Sequence, residues 1–364
     1  MKIRKTIGRV ILAALLVYMI WMGWQIVAYK RYQSAPLPAL AEASKPSLFE
    51  YVGAYHMHSR FSDGRKTVDQ IARVAADAGL DFIIFTDHGK PNFRSLDAQG
   101  WKSGVLVLAG SEISSNRGHL VALGFDRPAD SVRISSDAEA AAREVAALGG
   151  FTVIAHPYAK TSWSWGQIFE YAGLEILDAD SMVKSHILHS LPYYPALAVK
   201  PAFALMKMIV PPEKALRKWD QLLARHQALG FYSTDAHFFY SAIFQVFHLH
   251  VLLDQPRSSD FDAARRQLFD ALRRGGFYSA VDAAADARGF RFGLEGASLR
   301  LTAPFSFAHE TVIIHDGKVI HRTRENDVTL PLAGPGAYRA EVYLRERTPL
   351  DPGVPWIISN PVYH

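Results

Sequence analysis

The 364-residue chain contains no cysteine. Disulfides and thiolate metal sites are therefore excluded, and any metal must be held by imidazole and carboxylate groups. The absence also fits an oxidising compartment. No stripe of basic residues interleaved with aromatics is present, so nucleic acid is not an expected partner. The formal net charge of +5 and pI near 9.2 owe much to the N-terminus. No repeat of solenoid type is visible. A shortage of apolar residues is not among the absences: 49% hydrophobic, 12% aromatic and 21% charged residues exclude a largely disordered chain. The length suits one barrel-sized domain and a small accessory unit.

Long apolar runs are missing too, except for one. Val10–Tyr29 reads VILAALLVYMIWMGWQIVAY, 20 residues without charge. At ~1.5 Å per residue such a helix spans a bilayer core of about 30 Å. Trp21, Trp24 and Tyr29 suit its interfacial end. Lys2, Arg4, Lys5 and Arg9 precede it and Lys30 and Arg31 follow, which favours a cytoplasmic N-terminus. The rival is a cleaved signal peptide. Ala39-Leu40-Ala41 offers small residues, but it lies far beyond an apolar run already long for a signal. The expectation is a single-pass anchor with the bulk of the chain extracytoplasmic, periplasmic in a Gram-negative cell.

Residues 1–31 are thus read as the anchor and 32–50 as an Ala/Ser/Pro-rich tether. From Tyr51 a pattern recurs in which a short apolar run ends in a metal-competent residue and a helical stretch usually follows. Phe82-Ile83-Ile84-Phe85 lead to Asp87-His88, Val105-Leu106-Val107-Leu108 to Glu112, Phe151 to Ala155 to His156, and Gly230-Phe231-Tyr232 to Asp235 and His237. Val68, Ile71, Ala75 and Ala78 keep helical spacing, as does the stretch from Asp137 to Leu148, closed by Gly149-Gly150. Continuous apolar runs alternating with helices mean parallel strands covered on both faces, and closed α/β barrels gather their sites at the C-terminal strand ends. Beyond about Ala285 the texture changes to short β-type runs, with a hairpin signal at Asp316-Gly317. The expected organisation is an α/β barrel over 51–287 and a small antiparallel β unit over 288–364.

The chemistry starts at His56-Met57-His58. In a strand, positions i and i+2 share a side, so two imidazoles can converge on one metal. Alone the pair carries little, because alternate histidines occur on ordinary strands. His248 and His250, in VFHLHVLL with no adjacent carboxylate, are read as structural for that reason. The first pair differs in its company: Asp63 in Ser62-Asp63-Gly64, His88, Glu112, His119, His156, Asp235 and His237. Nine imidazole or carboxylate groups at successive strand ends would be costly neighbours without cations. They can supply two or three metals, with a carboxylate bridging two.

The runs HMHSRFSDG, FTDHG, GSEIS with GHLVALG, VIAHP and STDAH resemble, in order, the metal motifs of the PHP (polymerase and histidinol phosphatase) family. The resemblance covers about Tyr51 to Ala285. The closing ISNPVYH is similar to the carbaryl hydrolase-like branch. What the resemblance implies is a distorted (βα)7 barrel holding two or three divalent ions of Mn, Fe or Zn. It assigns His56, His58, Glu112 and Asp235 to one metal. Glu112 would bridge to a second, completed by His119 and His156, and Asp63, His88 and His237 would hold a third. Asp87 is read as a carboxylate supporting the turn or a ligand rather than as a ligand itself.

Metals a few ångströms apart lower the pKa of a shared water, so a bridging hydroxide can attack phosphorus while the cations neutralise phosphate oxygens. Glu112, Asp235 and Arg117 are the residues on which catalysis is expected to rest. Arg117 is the first choice to orient phosphate, ahead of Arg60, Lys90, Arg94 and Lys160, although each reads individually as a solvated loop charge. Where the family often carries Asn after Glu175-Ile176-Leu177, this chain has Asp178 and Asp180. The stretch Ile187–Val210 is apolar but broken by Pro192, Pro195, Pro201, Lys200 and Lys207, too interrupted to span a membrane. It reads as a crossover packed on the barrel or, more sharply, as an apolar lid touching the bilayer. The substrate is then a small-molecule or lipid-like phosphoester. The alternatives are a carbamate, amide or ester hydrolase on the same centre, and a non-catalytic module stabilised by metal.

Overall fold

The computed structural model describes residues 2–33, 48–159, 162–167, 169–346, 348 and 350–364. Most of the expected tether, and Lys160, lie outside the described residues. Along the chain, α1 (Lys2–Gln33) precedes β1 (Phe49–Tyr55), α2 (Val68–Asp77), β2 (Phe82–Phe85), α3 (Phe93–Asp97), β3 (Gly100–Lys102), β4 (Val105–Ala109), β5 (Ser111–Ser115) and β6 (Gly118–Leu123). Then come α4 (Ala138–Ala147), β7 (Phe151–Ile154), β8 (Gly173–Asp178), α5 (Ala179–Ser185), α6 (Ile187–Ser190), a 3-10 helix (Leu191–Ala198), α7 (Pro201–Lys207), α8 (Glu213–Leu223) and β9 (Leu229–Ser233). The remainder is α9 (Tyr240–Ile243), β10 (Phe247–Leu253), α10 (Phe261–Arg273), β11 (Phe277–Val281), β12 (Arg291–Glu295), β13 (Ser298–Thr302), β14 (His309–His315), β15 (Lys318–Thr323), β16 (Asp327–Pro331), β17 (Ala337–Leu344), β18 (Ile357–Ser359) and β19 (Val362–Tyr363).

The apolar runs are buried strands, as their lack of alternation requires: β2, β4, β7 and β9 are covered at every position. β1, β2 and β4 run parallel, as do β7, β8 and β9. The helices follow their sequence signals. Thr67 and Gln70 close a capping box on α2, whose Val68, Ile71, Ala72 and Ala75 are buried. Asp137 caps α4 by accepting from Ala140 N.

The closed barrel is not confirmed, because the strands form separate hydrogen-bonded sheets. One has the order β15-β14-β17-β18-β11-β10-β1-β2-β4-β3 and another β5-β6-β7-β8-β9. Two local causes are visible. First, β1 gives one edge to β2 and the other to β10, with Gly53 opposite Leu249. β9 therefore reaches β1 only past its end, through Thr234 N to Tyr55 O (3.0 Å) and a Met57–Ala236 bridge. Second, Gly110 separates β4 from β5. A Cβ there would sit 2.1 Å from Ala122 O, so only glycine lets the chain step from one sheet to the other. Both seams fall beside the metal-competent residues.

The C-terminal strands are antiparallel, and Asp316 (φ 46°) and Gly317 (φ 74°) make the expected hairpin turn between β14 and β15. They are not detached. β18 pairs with both β11 and β17, which continues the large sheet, whereas β12, β13 and β16 form a three-stranded sheet. Asn360, within ISNPVYH, accepts from Gly230 N (2.8 Å) and donates to Phe277 O (3.1 Å), tying β9 to β11.

α1 contains a 26-residue apolar stretch, Thr6–Arg31, of mean hydropathy 2.1 over its best window, only 6% of which is buried. Length and composition suffice to cross a membrane. Ile187–Val210 is a structured excursion: the 3-10 helix runs into α7, whose Phe203, Ala204 and Met206 are buried.

Candidate metal centre

The site is built where strands end. His56 and His58 follow β1, His88 follows β2, Glu112 lies in β5, His119 in β6, His156 beyond β7, and Asp235 and His237 beyond β9. The convergence of His56 and His58 does not come from simple strand alternation, since His56 has φ 66°. His156 (φ 27°) and Asp235 (φ 40°) share that left-handed region, which side chains enter at a cost and hold only when the surroundings fix them. The two rings nonetheless converge. Both Nε2 atoms reach the same two oxygens: Glu112 Oε2 at 3.3 and 3.1 Å, and Asp235 Oδ1 at 3.4 and 3.1 Å.

Glu112 is the hub. Its Oε1 lies 2.6 Å from His119 Nδ1 and 2.9 Å from His156 Nε2, and its Oε2 also lies 3.3 Å from His88 Nδ1. A third group forms at the more open side, where Asp63 Oδ2 lies 3.1 Å from His237 Nε2 and 3.7 Å from His88 Nε2. Ligand atoms fall within 4.8 Å of one another in five sets among the described residues, three of them made by the residues above: His56, His58, Glu112, Asp235; Glu112, His119, His156; and His58, Asp63, His88, His237; the other two are His56, Glu175, Asp178 beside them and His248, His250, Asp282 apart from them. All nine residues singled out from sequence are thus brought together. His58 additionally joins the third set.

The electrostatics fit cations. Burial alone would raise the Glu112 carboxyl, yet the surrounding imidazoles hold it well below the usual carboxylate range. Asp235 is likewise depressed against its burial by His56 and His58. Burial would lower His58 and His156, but neighbouring carboxylates push each up to about 9. Without metal, protons supply the positive charge that the carboxylates require. The sharper observation is geometric. His56 Nε2, His58 Nε2, His88 Nδ1 and Asp235 Oδ1 are buried with no hydrogen-bond partner. Such orphaned atoms aimed at one another are costly unless a cation takes their lone pairs. The residues present therefore fit divalent metal ions.

One buried residue carries a role that its sequence context hid. Glu175, within the apolar β8, accepts from His56 Nδ1 (2.6 Å) through Oε1 and from His156 N (2.7 Å) through Oε2. The first contact puts the proton on Nδ1 and leaves the Nε2 lone pair facing the cluster. A carboxylate flanked by apolar residues inside a fully buried strand was the available signal. Asp87 behaves as a support: buried, it accepts from Ser59 N (2.6 Å), Ser59 Oγ (2.8 Å), Ser62 Oγ (2.7 Å) and Ser95 Oγ. Asp178 is pushed up to about 7 by burial and by Asp235 and Glu175, and its Oδ1 caps α5 at Ser181 N (2.7 Å). Asp180 pairs with Lys184.

Beside the cluster opens a cleft of about 630 Å³ with His156, Glu175 and Asp178 on its floor and Lys214 and Arg217 among its walls. Arg117 is engaged elsewhere: its Nη1 donates to Gln167 O (2.8 Å) and its guanidinium lies 5.5 Å from the Phe169 ring centre. Arg60 donates to Arg65 O (3.0 Å), Lys90 to Ser136 Oγ, and Arg94 lies over Phe61. His248 and His250 do find carboxylates in space. His250 bridges Glu50 (2.8 Å) and Asp282 (3.0 Å), and His248 bonds Asp282 (2.7 Å) and Phe244 O (2.7 Å). Every ring nitrogen there has a protein partner, in contrast to the main cluster, although these side chains also bring ligand atoms within 4.8 Å of one another.

No family profile matches the chain. Over 125 residues it is 32% identical to a phosphoribosyl 1,2-cyclic phosphate 1,2-diphosphodiesterase from Eggerthella lenta, a match covering 33% of this chain and 43% of that relative. Among solved structures it is similar to a two-domain protein from Bacteroides vulgatus containing a predicted PHP-like metal-dependent phosphoesterase (14% identity, TM-score 0.46, 90% of this chain and 100% of the other). It is also similar to an amidohydrolase from Chromobacterium violaceum with bound sulfate (17% identity, TM-score 0.34, 51% and 87%).

Proposed function

We propose that this chain is a metal-dependent hydrolase of the PHP type that cleaves phosphoesters. The observation that carries the reading is the set of buried, partnerless imidazole and carboxylate atoms converging on Glu112 beside an open cleft. His56, His58 and Asp235 with Glu112, then Glu112 with His119 and His156, and Asp63, His88 and His237 would hold the ions, of Mn, Fe or Zn. Bound divalent ions would supply an activated water and neutralise phosphate charge. The protein's own contribution is orientation. Glu175 holds the His56 ring and the His156 backbone, and Glu112 turns Oε2 towards His56 and His58 and Oε1 towards His119 and His156, so that it would serve two ions. Lys214 and Arg217 face the cleft and suit an anionic substrate. For Arg117 we propose support of the loop carrying Gln167 and Phe169 rather than a first grip on phosphate. The ISNPVYH ending is the ground for placing the chain nearest the carbaryl hydrolase-like branch. We further propose that α1 is a single-pass anchor with the hydrolase domain outside the cytoplasm.

The test uses the full chain in detergent, stripped of metal by chelation and reloaded with Mn²⁺. Turnover of p-nitrophenyl phosphate or its bis-ester that needs metal and vanishes in Asp235→Asn supports the reading, and the mono- to diester ratio narrows the substrate. Turnover of p-nitrophenyl acetate alone moves the assignment to ester, amide or carbamate hydrolysis. Bound metal without turnover of any of the three leaves a metal-stabilised binding module.

A further inference from the structure

The chain between α5 and α8 joins two parts of the molecule that have no obvious reason to meet. Its roots, Ser185-His186 and Val210-Pro211-Pro212, line the cleft beside the metal cluster. Its outer part packs on α1: Tyr18 Oη donates to Pro192 O (2.7 Å), Trp21 and Tyr193 lie with ring centres 5.9 Å apart, and Tyr29 and Phe203 5.3 Å apart. Tyr18 and Tyr29 are separated by about 16 Å along a helix rising ~1.5 Å per residue, roughly half of a ~30 Å bilayer core. With α1 spanning a membrane and Tyr29 at its surface, Pro192 and Tyr193 sit one leaflet deep.

The exposed side chains there are those a hydrocarbon environment selects. Leu188 is 88% exposed and Val199 73%, and Ile187 and Leu191 are also exposed, alongside the uncovered Leu16, Ile20 and Trp24 of α1. Water-facing surfaces do not gather such residues without a partner. The cleft is itself amphipathic, with Met182, Val210 and Ala215 on its walls and Lys214 and Arg217 nearby.

We propose that α1 and the Ile187–Lys207 excursion form one bilayer-embedded apolar face, and that the cleft takes the head group of a phosphoester amphiphile resident in that bilayer. The substrate half rests on the phosphoesterase reading above, and the membrane half does not. The excursion guides an acyl-bearing substrate along its apolar side, while its roots deliver the phosphate to the floor formed by His156 and Glu175.

The natural absence of cysteine makes site-directed labelling direct. The full chain is reconstituted in phosphatidylcholine vesicles carrying dioleoyl phosphatidic acid, after Leu188→Cys, Val199→Cys or, as an exposed control on α4, Arg143→Cys is labelled with an environment-sensitive fluorophore. Lipids brominated along their chains quench the label at 188 and 199 and leave 143 unaffected. In the triple variant Leu188→Ser, Leu191→Ser, Val199→Ser, Mn²⁺-dependent release of phosphate from vesicle-borne phosphatidic acid falls by more than about tenfold, while soluble p-nitrophenyl phosphate turnover changes by less than about twofold. Absent quenching at 188 and 199 overturns the membrane face. Equal loss on both substrates, or wild-type turnover of the soluble ester without turnover of phosphatidic acid, overturns the substrate class. Wild-type inactivity on both esters sinks the phosphoesterase reading and the substrate half with it, and quenching then decides the membrane half alone.

Discussion

His56 Nδ1 and Glu175 Oε1 lie 2.6 Å apart in the interior, although 119 residues separate them in the chain. The contact decides which imidazole nitrogen faces the centre, and the same carboxylate holds the His156 backbone. Glu175→Gln keeps the shape but removes the charge that makes His56 a basic ligand. Metal affinity is expected to fall about 10–100-fold, read by competition against a chromogenic chelator. An unchanged affinity would show that packing alone orients His56.

Glu112 is expected to be the costliest single loss at the centre, because three sets of ligand atoms meet on or beside its two oxygens. Glu112→Gln should lower bound metal by at least about one ion per chain and abolish turnover. Chelation of the native protein should lower its melting midpoint, and Mn²⁺ should restore it. Metal at about 100 times its Kd adds roughly 2.7 kcal/mol to the folded state. Elemental analysis and a thermal melt check both.

The buried network of His250, Asp282 and Glu50 predicts a pH window. Burial would lower His250, but Asp282 and Glu50 raise it from 6.5 to about 9. Burial would raise Glu50, but His250 and Arg291 bring it from 4.5 down to about 2. The His250 contribution is therefore complete below pH 6.5 and lost as pH rises towards 9. The Glu50 contribution is complete above pH 4.5 and lost as pH falls towards 2. Both are present between those limits. The unfolding free energy of the metal-free protein from urea titrations should decline from pH 6.5 to 9 more steeply in the native chain than in His250→Gln, by on the order of 1–3 kcal/mol. Parallel slopes would mean that the imidazole is already neutral in the folded state.

Arg339 ties β17 to α8. It is 2% exposed, donates to Asp220 Oδ1 of α8 (2.9 and 2.7 Å) and to Glu341 (2.5 Å), and lies over Trp219 (4.7 Å). Arg339→Leu leaves two carboxylates without their cation, a loss of about 3–5 kcal/mol. By contrast, Arg143→Ala breaks only the exposed pair with Glu139 and should change stability by less than about 0.5 kcal/mol. Chemical denaturation of both variants distinguishes a docked C-terminal region from a loosely tethered one.

Most of the candidate metal-site residues were legible because they lie at or just beyond the end of an apolar run, as His56, His88, Glu112, His156 and Asp235 do, where local pattern shows both the strand and its terminus. The helix starting at Asp137 and the Asp316-Gly317 turn were legible for a similar reason, since caps and turns act over a few residues. Glu175 was not, because a carboxylate in the middle of GLEILD says nothing of the histidines it contacts. Where Arg117 points was not legible either, because proximity in sequence to His119 does not fix the direction of a long side chain, and its guanidinium donates to Gln167 O.

The sequence by itself determined the strands, the amphipathic helices, the apolar N-terminal run and the roster of imidazoles and carboxylates, all properties set by neighbours a few residues apart. Tertiary structure alone decided which edges pair and which charges meet. β10 takes the edge of β1 that a closed barrel would have given to β9, and Glu175 crosses the core to His56. The excursion beyond α5 folds back on α1. Each is a contact between residues more than a hundred positions apart, selected by burial and hydrogen-bond satisfaction across the whole chain, which no local pattern encodes.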